Sequence, residues 1–274
     1  SILNYMDYEN INNKFKKYKL NSNNDSMDKI CKPKKFKLQP SQKFLGELFN
    51  SKYSPKSILI YHKIGAGKTC TAINIAEKVK NKMKIMVVLS ASLIGNFRNE
   101  LRSECPGNLY LSEKNRKKLE TLNPKSDLYK NIIEESDKKI NKYYEIISYN
   151  KFLNLCKNCK IKLKNHLLII DEIQNMISES GSFYTNLKRQ IYSTDDSLKI
   201  VLLSATPIFD KPVEISLTLN LLKPKNQLPI GVNFDNMFLE KKKNNYKVKN
   251  IYNFKKIIKG LVSYYKGAPP QAFP

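Results

Sequence analysis

One short segment restricts the folds open to this chain more than any other: His62-Lys63-Ile64-Gly65-Ala66-Gly67-Lys68-Thr69. An apolar strand candidate at residues 57–61 precedes it, and residues 71–80 follow it with apolar side chains at helical spacing. A strand, a glycine-rich loop and a helix in this order are typical of a phosphate-binding loop. The segment therefore predicts an α/β protein with a polyphosphate site at the end of one strand.

Each residue type in this loop has a chemical reason to be there. Gly65 and Gly67 let backbone N–H groups approach phosphate oxygens, and the start of the following helix adds its positive dipole. We expect Lys68 to pair with the β- and γ-phosphates of ATP and the Thr69 hydroxyl to hold Mg²⁺. His62 replaces the first glycine of the strict pattern, and a structural role is expected for it. The predicted nucleotide contacts in the loop are Gly65, Ala66, Gly67, Lys68, Thr69 and Cys70.

Two further polar segments directly follow apolar strand candidates. In Asp171-Glu172-Ile173-Gln174, one carboxylate is expected to hold Mg²⁺ through its waters and the next to orient the attacking water. The second segment is Ser204-Ala205-Thr206-Pro207. Because loops after parallel strands gather at one edge of a sheet, these segments should share a crevice with the phosphate loop. We predict Lys68, Asp171 and Glu172 as catalytic residues, and Thr69 and Asp171 as metal ligands.

The wider pattern is short apolar runs alternating with amphipathic stretches. The strand candidates are residues 57–61, 84–89, 108–111, 144–148, 167–170 and 199–203. Helices are expected at residues 71–80, 92–104, 113–142 and 250–259. This alternation predicts a doubly wound, mostly parallel sheet with helical, basic extensions. We expect a basic lead-in at residues 1–37, an ATP-binding domain at 38–222, and a basic extension at 223–274 that leads towards a second domain.

Composition leaves two interpretations of the charge open. The formal net charge of +25 suggests a polyanionic partner. Nearly all of it is lysine, in a chain also crowded with asparagine and isoleucine, so AT-rich codon usage is an equal explanation. No apolar run reaches the ~20 residues of a membrane span, which predicts no membrane partner. The 5 scattered cysteines indicate a reducing compartment rather than a disulfide scaffold.

The order of the three segments resembles motifs I, II and III of superfamily 2 helicases. Gln42 stands where that superfamily carries an adenine-reading glutamine. Residues 90–98 look like the strand-contacting motif Ia, and Ser148-Tyr149-Asn150 is similar to a later motif on the same face. Tyr61-His62 and the block at residues 260–267 resemble the helicase-like ATPases of poxviruses and giant viruses.

The resemblance implies a RecA-like domain of a nucleic-acid-dependent ATPase or helicase, viral and active in transcription. Its partners would be nucleic acid, DNA rather than RNA, and other transcription subunits, in the virion and host cytoplasm. The implied nucleic-acid and coupling residues are Ser92, Arg98, Asn150, Ser204 and Thr206. In this superfamily arginine fingers come from a second domain, and this sequence lacks the element that carries them. Arg98 and Arg102 lie on the motif Ia helix of the first domain, so the chain looks like the first domain of a longer protein. A non-motor, ATP-gated DNA-binding subunit is the alternative, and a P-loop kinase is disfavoured by the second and third segments.

Three weaker features carry no prediction of a site. Cys156, Cys159 and the nearby His166 are residue types that bind metals, but a closed zinc site needs four ligands. We expect a helix end with two ordinary thiols. The lysine runs at residues 32–37 and 241–243 are expected to be solvated faces rather than specific nucleic-acid contacts.

Overall fold

The computed structural model describes residues 8–19, 36–63, 65–178, 181–208, 211–242 and 245–265. Most of the lysine run at 32–37, Lys243, and the last two residues of the block at 260–267 lie outside this range. Among the described residues, the helices α1 (Tyr8–Lys14) and α2 (Pro40–Phe49) precede the sheet. Within the described residues, no helix is both long and apolar enough to span a membrane.

The centre of the molecule is a six-stranded parallel sheet. Its strands are β1 (Ser57–His62), β2 (Lys84–Leu89), β3 (Tyr144–Ser148), β4 (His166–Ile170), β5 (Lys199–Ser204) and β8 (Val262–Tyr265). Their spatial order is β3-β2-β4-β5-β1-β8, and every neighbouring pair is parallel. Parallel strands direct all their carboxyl ends to one edge, so this topology brings the predicted segments together. The predicted α/β, doubly wound fold is confirmed.

Helices cover both faces of this sheet. Those that connect the strands are α3 (Lys68–Val79), α4 (Ile94–Arg102), α5 (Glu113–Thr121), α6 (Asp127–Asn141), α7 (Tyr149–Lys157), α8 (Ser182–Ser193) and α9 (Glu214–Asn220). Alternate residues of a strand serve opposite faces. In β1, Ile58 and Ile60 pack with α2 and α3, whereas Leu59 belongs to the core under α7 and α8. Both faces are therefore apolar, which explains why the strands consist of nearly continuous apolar runs.

Residues 108–111 are not a strand, so that prediction is wrong. Tyr110 and Leu111 are buried, which accounts for their apolar pattern. Their segment is irregular, and the guanidinium of Arg116 donates to the carbonyls of Gly107 (3.1 Å) and Leu111 (2.8 Å). A side chain thus satisfies backbone groups that would otherwise need a sheet partner. The remaining predicted strands are confirmed to within one residue at either end.

The part of the chain beyond residue 222 also contributes to the sheet. After α10 (Val232–Phe238), strands β6 (Leu239–Lys242) and β7 (Asn245–Val248) form an antiparallel hairpin, and α11 (Ile251–Ile258) leads into β8. Strand β8 pairs with β1, with Leu59 opposite Val262 and His62 opposite Tyr265. No strand was predicted there, because Val262–Tyr265 is too short and polar to stand out as an apolar run.

Candidate active site

The phosphate-binding loop joins β1 to α3. Gly65 (φ 78°) and Gly67 (φ 71°) both have left-handed backbone conformations, which glycine adopts without steric cost. A Cβ atom on Gly67 would also lie 2.6 Å from Gln42 Nε2. Helix α3 begins at Lys68, so its free N–H groups point into the loop. The local geometry is therefore that of an anion cradle at a helix N-terminus.

Helix α2 supports this loop from behind through Gln42, which is 5% exposed. Gln42 Nε2 donates to the carbonyl of Gly67 (3.2 Å), and its Oε1 accepts from the backbone N–H of Gln39 (2.7 Å). Asn74 Nδ2 of α3 donates to the Gln42 carbonyl (2.6 Å). Both polar atoms of the Gln42 side chain thus contact protein, and they tie α2 to the loop. Adenine recognition by Gln42 stays a prediction.

The two predicted carboxylates follow β4 directly. Glu172 Oε1 lies 3.6 Å from Lys68 Nζ, an ion pair across the mouth of the loop. Asp171 is 8% exposed, and its Oδ1 accepts from the backbone N–H of Glu172 (3.0 Å). Burial, reinforced by the charge of Glu172, raises the pKa of Asp171 to about 6. Glu172 has a left-handed backbone conformation (φ 47°), which is strained for a residue other than glycine. The chain bends at this residue, directly after β4.

A hydrogen-bond chain links this carboxylate to the third segment. Gln174 Nε2 donates to Glu172 Oε2 (2.7 Å), and Gln174 Oε1 accepts from the Ser204 hydroxyl (2.7 Å). Ser204 Oγ in turn accepts from the backbone N–H of Thr206 (3.0 Å). The end of β5 is therefore connected to the second predicted catalytic carboxylate. Gln174 was quoted in its motif, but its bridging role was missed, because only the fold brings β4 and β5 side by side.

The phosphate-binding loop and the two carboxylates line one cleft of about 570 Å³. Its walls include Gly65, Gly67, Lys68, Thr69, Cys70, Asn96, Glu100, Asp171 and Glu172. The Thr69 hydroxyl and the Asp171 carboxylate supply oxygen ligands of the kind that Mg²⁺ prefers. A buried carboxylate with a raised pKa lacks full compensation for its charge, so a cation beside Asp171 fits the site.

His62 closes the end of β1 beneath the loop. Its side chain is fully buried, and its Nε2 lies 3.1 Å from the Ser263 hydroxyl of β8. Burial, with a smaller contribution from the charge of Lys68, lowers the pKa of His62 to about 4. His62 is therefore neutral at pH 7 and joins the loop to the edge strand, in agreement with the structural role expected for it.

Two cysteines near the loop form a disulfide. Cys70, in the first turn of α3, is bonded to Cys105, which follows α4. The expectation of unpaired cysteines is thus wrong for this pair, because residues 35 positions apart meet where α3 and α4 pack together. The prediction that Cys70 contacts nucleotide now concerns its backbone N–H group. Cys156 and Cys159, at the end of α7, are free thiols.

The predicted nucleic-acid residues lie at the carboxyl ends of neighbouring strands. Ser92 follows β2 and Asn150 follows β3, and both are exposed. The guanidinium of Arg98 donates to Asp137 Oδ1 (2.8 Å) and Asn141 Oδ1 (2.9 Å) of α6. The fold thus brings Ser92 and Asn150 to one edge, whereas Arg98 already has a protein partner. Their role in binding remains a prediction.

Tyr149 is a second residue whose role was missed. Its phenol donates to the backbone carbonyls of Asp171 and Glu172 (3.2 Å to the latter). The sequence motif contained this tyrosine, but nothing in it indicated contact with the turn after β4.

Comparison with known proteins assigns the chain to a family. The type III restriction enzyme res-subunit family matches residues 9–209. A protein of Acanthamoeba polyphaga mimivirus, named as an ATP-dependent RNA helicase, is 53% identical over 97% of this chain and 47% of its own length. Nucleoside triphosphatase I of Heliothis armigera entomopoxvirus is 28% identical over 68% of this chain and 27% of its own length.

The solved structures include a protein with the same fold. The Sulfolobus solfataricus SWI2/SNF2 ATPase core in complex with dsDNA superposes with a TM-score of 0.50 at 18% identity, covering 82% of this chain and 42% of that one. This chain spans about half the length of the mimivirus relative. The motif order, the parallel sheet and the family match lead to one conclusion: the chain belongs to the superfamily 2 helicases, in the family of the type III restriction enzyme res subunit.

Proposed function

We propose that this chain is the ATP-binding domain of a viral, nucleic-acid-dependent ATPase or helicase that acts in transcription. The observation that carries the proposal is the 3.6 Å ion pair between Lys68 Nζ and Glu172 Oε1, formed at the N-terminus of α3 beside the buried Asp171. A phosphate-binding lysine and two carboxylates in one cleft are the groups that phosphoryl transfer to water requires.

Each group has a defined part in this mechanism. Backbone N–H groups at the start of α3 and the ammonium of Lys68 bind the phosphates. Thr69 and Asp171 would hold Mg²⁺, which neutralises charge on the β- and γ-phosphates. Binding of nucleotide releases Glu172 from Lys68, and its carboxylate is then free to accept a proton from the attacking water. Gln174 keeps that carboxylate oriented through its 2.7 Å hydrogen bond.

Full activity requires a group from outside this chain. Both guanidinium groups of the motif Ia helix are paired with Asp137, Arg98 at 2.8 Å and Arg102 at 2.5 Å. We therefore propose that arginine fingers come from a second RecA-like domain elsewhere in the whole protein. Since such fingers contribute a factor of roughly 10³–10⁵ to turnover, residues 1–274 alone should hydrolyse ATP slowly.

Nucleic acid is proposed to bind across the ends of β2 and β3. Ser92 and Asn150 would donate hydrogen bonds to the phosphate backbone, with Arg98 adding charge close by, so binding should not depend on base sequence. DNA rather than RNA is our proposal, with other transcription subunits as partners, in the virion and host cytoplasm. A relative from African swine fever virus, named as a homolog of termination factor NPH-I and 24% identical over 64% of this chain, supports the transcription role. Intact Lys68, Asp171 and Glu172 favour an active motor over a non-motor, ATP-gated DNA-binding subunit.

Nucleotide binding tests the first part of the proposal. Lys68→Ala should weaken binding of fluorescent ATP with Mg²⁺ at least about tenfold, equivalent to about 1.4 kcal/mol. Lys78→Ala is the matched control, because Lys78 lies on the same helix and pairs with Glu47 (2.6 Å) far from the loop. Equal affinities in wild type and Lys68→Ala would refute the site.

Nucleic-acid binding is tested separately at fixed salt. Single-stranded DNA should bind more weakly to a Ser92→Ala, Asn150→Ala double variant. These substitutions leave the Arg98–Asp137 pair intact, so stability should not confound the result. The control neutralises the lysine run at residues 241–243, which removes positive charge without changing residues at the ends of β2 and β3. Loss of DNA binding in the control but not in the double variant would refute the assignment of the contacts.

A further inference from the structure

Tyr149 lies in both parts of the proposed machinery. It is the first residue of α7, directly before the exposed Asn150, and its phenol reaches the turn that carries Asp171 and Glu172. Strand β3 is separated from β4 by β2, so the two strand ends are about 10 Å apart. Only a long side chain with a polar group at its tip can cross this gap from residue 149.

The contact is built to be stable. The phenol of Tyr149 is the donor in this contact, because a backbone carbonyl oxygen can only accept a hydrogen bond. The ring packs edge-on against Phe183 of α8, with centroids 6.5 Å apart. The acceptors are the carbonyls of Asp171 and Glu172, where the backbone turns into the left-handed conformation of Glu172 (φ 47°). A hydrogen bond at this point helps to hold a strained turn in place.

The other end of the contact is equally fixed. The Ser148 hydroxyl caps α7 by accepting from the Lys151 N–H (3.3 Å). Phe152 (1% exposed) and Cys156 (2%) anchor the helix in the core. The first turn of α7 is therefore a rigid element, and a displacement at Asn150 would also displace Tyr149.

We propose that Tyr149 is a positioning residue that couples nucleic-acid binding at residues 148–150 to the geometry of the Glu172 carboxylate. Nucleic acid on Asn150 displaces the first turn of α7 as one rigid unit, and the phenol transmits that displacement to the backbone of Asp171 and Glu172. Tyr149 does not line the cleft, and it acts through the turn. The inference rests on the proposed function, since it assumes that nucleic acid binds at the end of β3.

Tyr149→Phe tests the inference, because it removes only the hydroxyl. Tyr192→Phe is the matched control: its phenol also donates to a backbone carbonyl, that of Asn220 (2.8 Å), remote from the cleft. In the full-length protein, ATP hydrolysis is measured with and without single-stranded DNA. For Tyr149→Phe, DNA-stimulated kcat should fall about five- to tenfold, the size expected for one hydrogen bond. The ratio of stimulated to basal turnover should fall with it. The KM for ATP, the affinity for DNA and the melting temperature should match those of Tyr192→Phe.

The remaining outcomes overturn the inference in distinct ways. Wild-type stimulation in Tyr149→Phe would refute it alone. An equal fall in basal and stimulated turnover would refute the coupling and leave Tyr149 as ordinary support for the turn. A parallel loss of kcat in Tyr192→Phe would mean that the effect is general. If wild-type protein shows no stimulation by DNA, the proposed function fails and the inference fails with it.

Discussion

The close approach of α2 and α3 behind the phosphate loop can be tested with one methyl group. Gly46 lies in the interior of α2, where a Cβ atom would sit 2.4 Å from Asn74 Nδ2 and 3.0 Å from Asn74 Cγ. That amide is buried and donates to the Gln42 carbonyl (2.6 Å). Gly46→Ala must therefore displace Asn74, or push α2 and Gln42 away from Gly67.

Three opposing free energies set the expected result. Alanine in place of glycine inside a helix stabilises by about 0.5–1 kcal/mol. Overpacking a close contact costs roughly 1–3 kcal/mol. Loss of the buried Asn74 hydrogen bond costs about 1–3 kcal/mol. Because these contributions overlap, we expect a net loss of about 2 kcal/mol in the free energy of unfolding, measured by urea denaturation without nucleotide.

The chain offers a control of the same chemistry. Gly95 lies in α4, and a Cβ atom there would meet nothing within 4 Å. Gly95→Ala should leave stability unchanged or raise it by up to about 0.5 kcal/mol. In an Asn74→Ala background the cost of Gly46→Ala should largely disappear, because the obstructing amide is gone. If Gly46→Ala proves as stable as wild type, the packing of α2 on α3 does not constrain this position and the reasoning is wrong.

Further predictions concern the two carboxylates, His62 and the disulfide. In the full-length protein, Glu172→Gln should still bind ATP but no longer hydrolyse it. Asp171→Asn should lose both ATP hydrolysis and the Mg²⁺ dependence of ATP binding. Steady hydrolysis by Glu172→Gln would contradict this division of roles. The folded-state pKa of His62, about 4, lies below that of the unfolded chain, so stability is full above pH 6.5 and falls as protons bind the unfolded state between pH 6.5 and 4. The loss should not exceed about 3 kcal/mol, and His62→Gln should flatten this part of a stability–pH curve. Replacing Cys70 and Cys105 by serine should lower the free energy of unfolding by about 2–4 kcal/mol, and unchanged stability would show that the bond contributes nothing.

Several features of this protein follow from local sequence. The segment from Gly65 to Thr69 and the one from Asp171 to Gln174 each specify a loop at the end of an apolar strand. Such patterns depend on neighbours within a few residues, so periodicity and turn chemistry suffice to predict them. Because parallel strands direct their carboxyl ends to one edge, the gathering of these segments into a crevice was also predictable. The Lys68–Glu172 pair lies within that crevice.

Other features depend on contacts that local patterns do not encode. Strand β8 was not predicted, because its place is set by pairing with β1 and by the contact of His62 with Ser263, 201 residues away. The strand predicted at residues 108–111 is absent, since Arg116 satisfies its carbonyls instead.

The roles of Tyr149, Arg98 and Cys70 were likewise decided by tertiary structure. Sequence identified the chemistry of each side chain, but not its partner. The phenol of Tyr149, directly after β3, contacts the turn after β4 only because β2 pairs with both β3 and β4 in the sheet. Arg98 is held by Asp137 of α6, and Cys70 is joined to Cys105 beyond α4. Hydrogen bonds, ion pairs and disulfides form between groups that are close in space, and distances across the sheet and between helices exist only once the chain has folded.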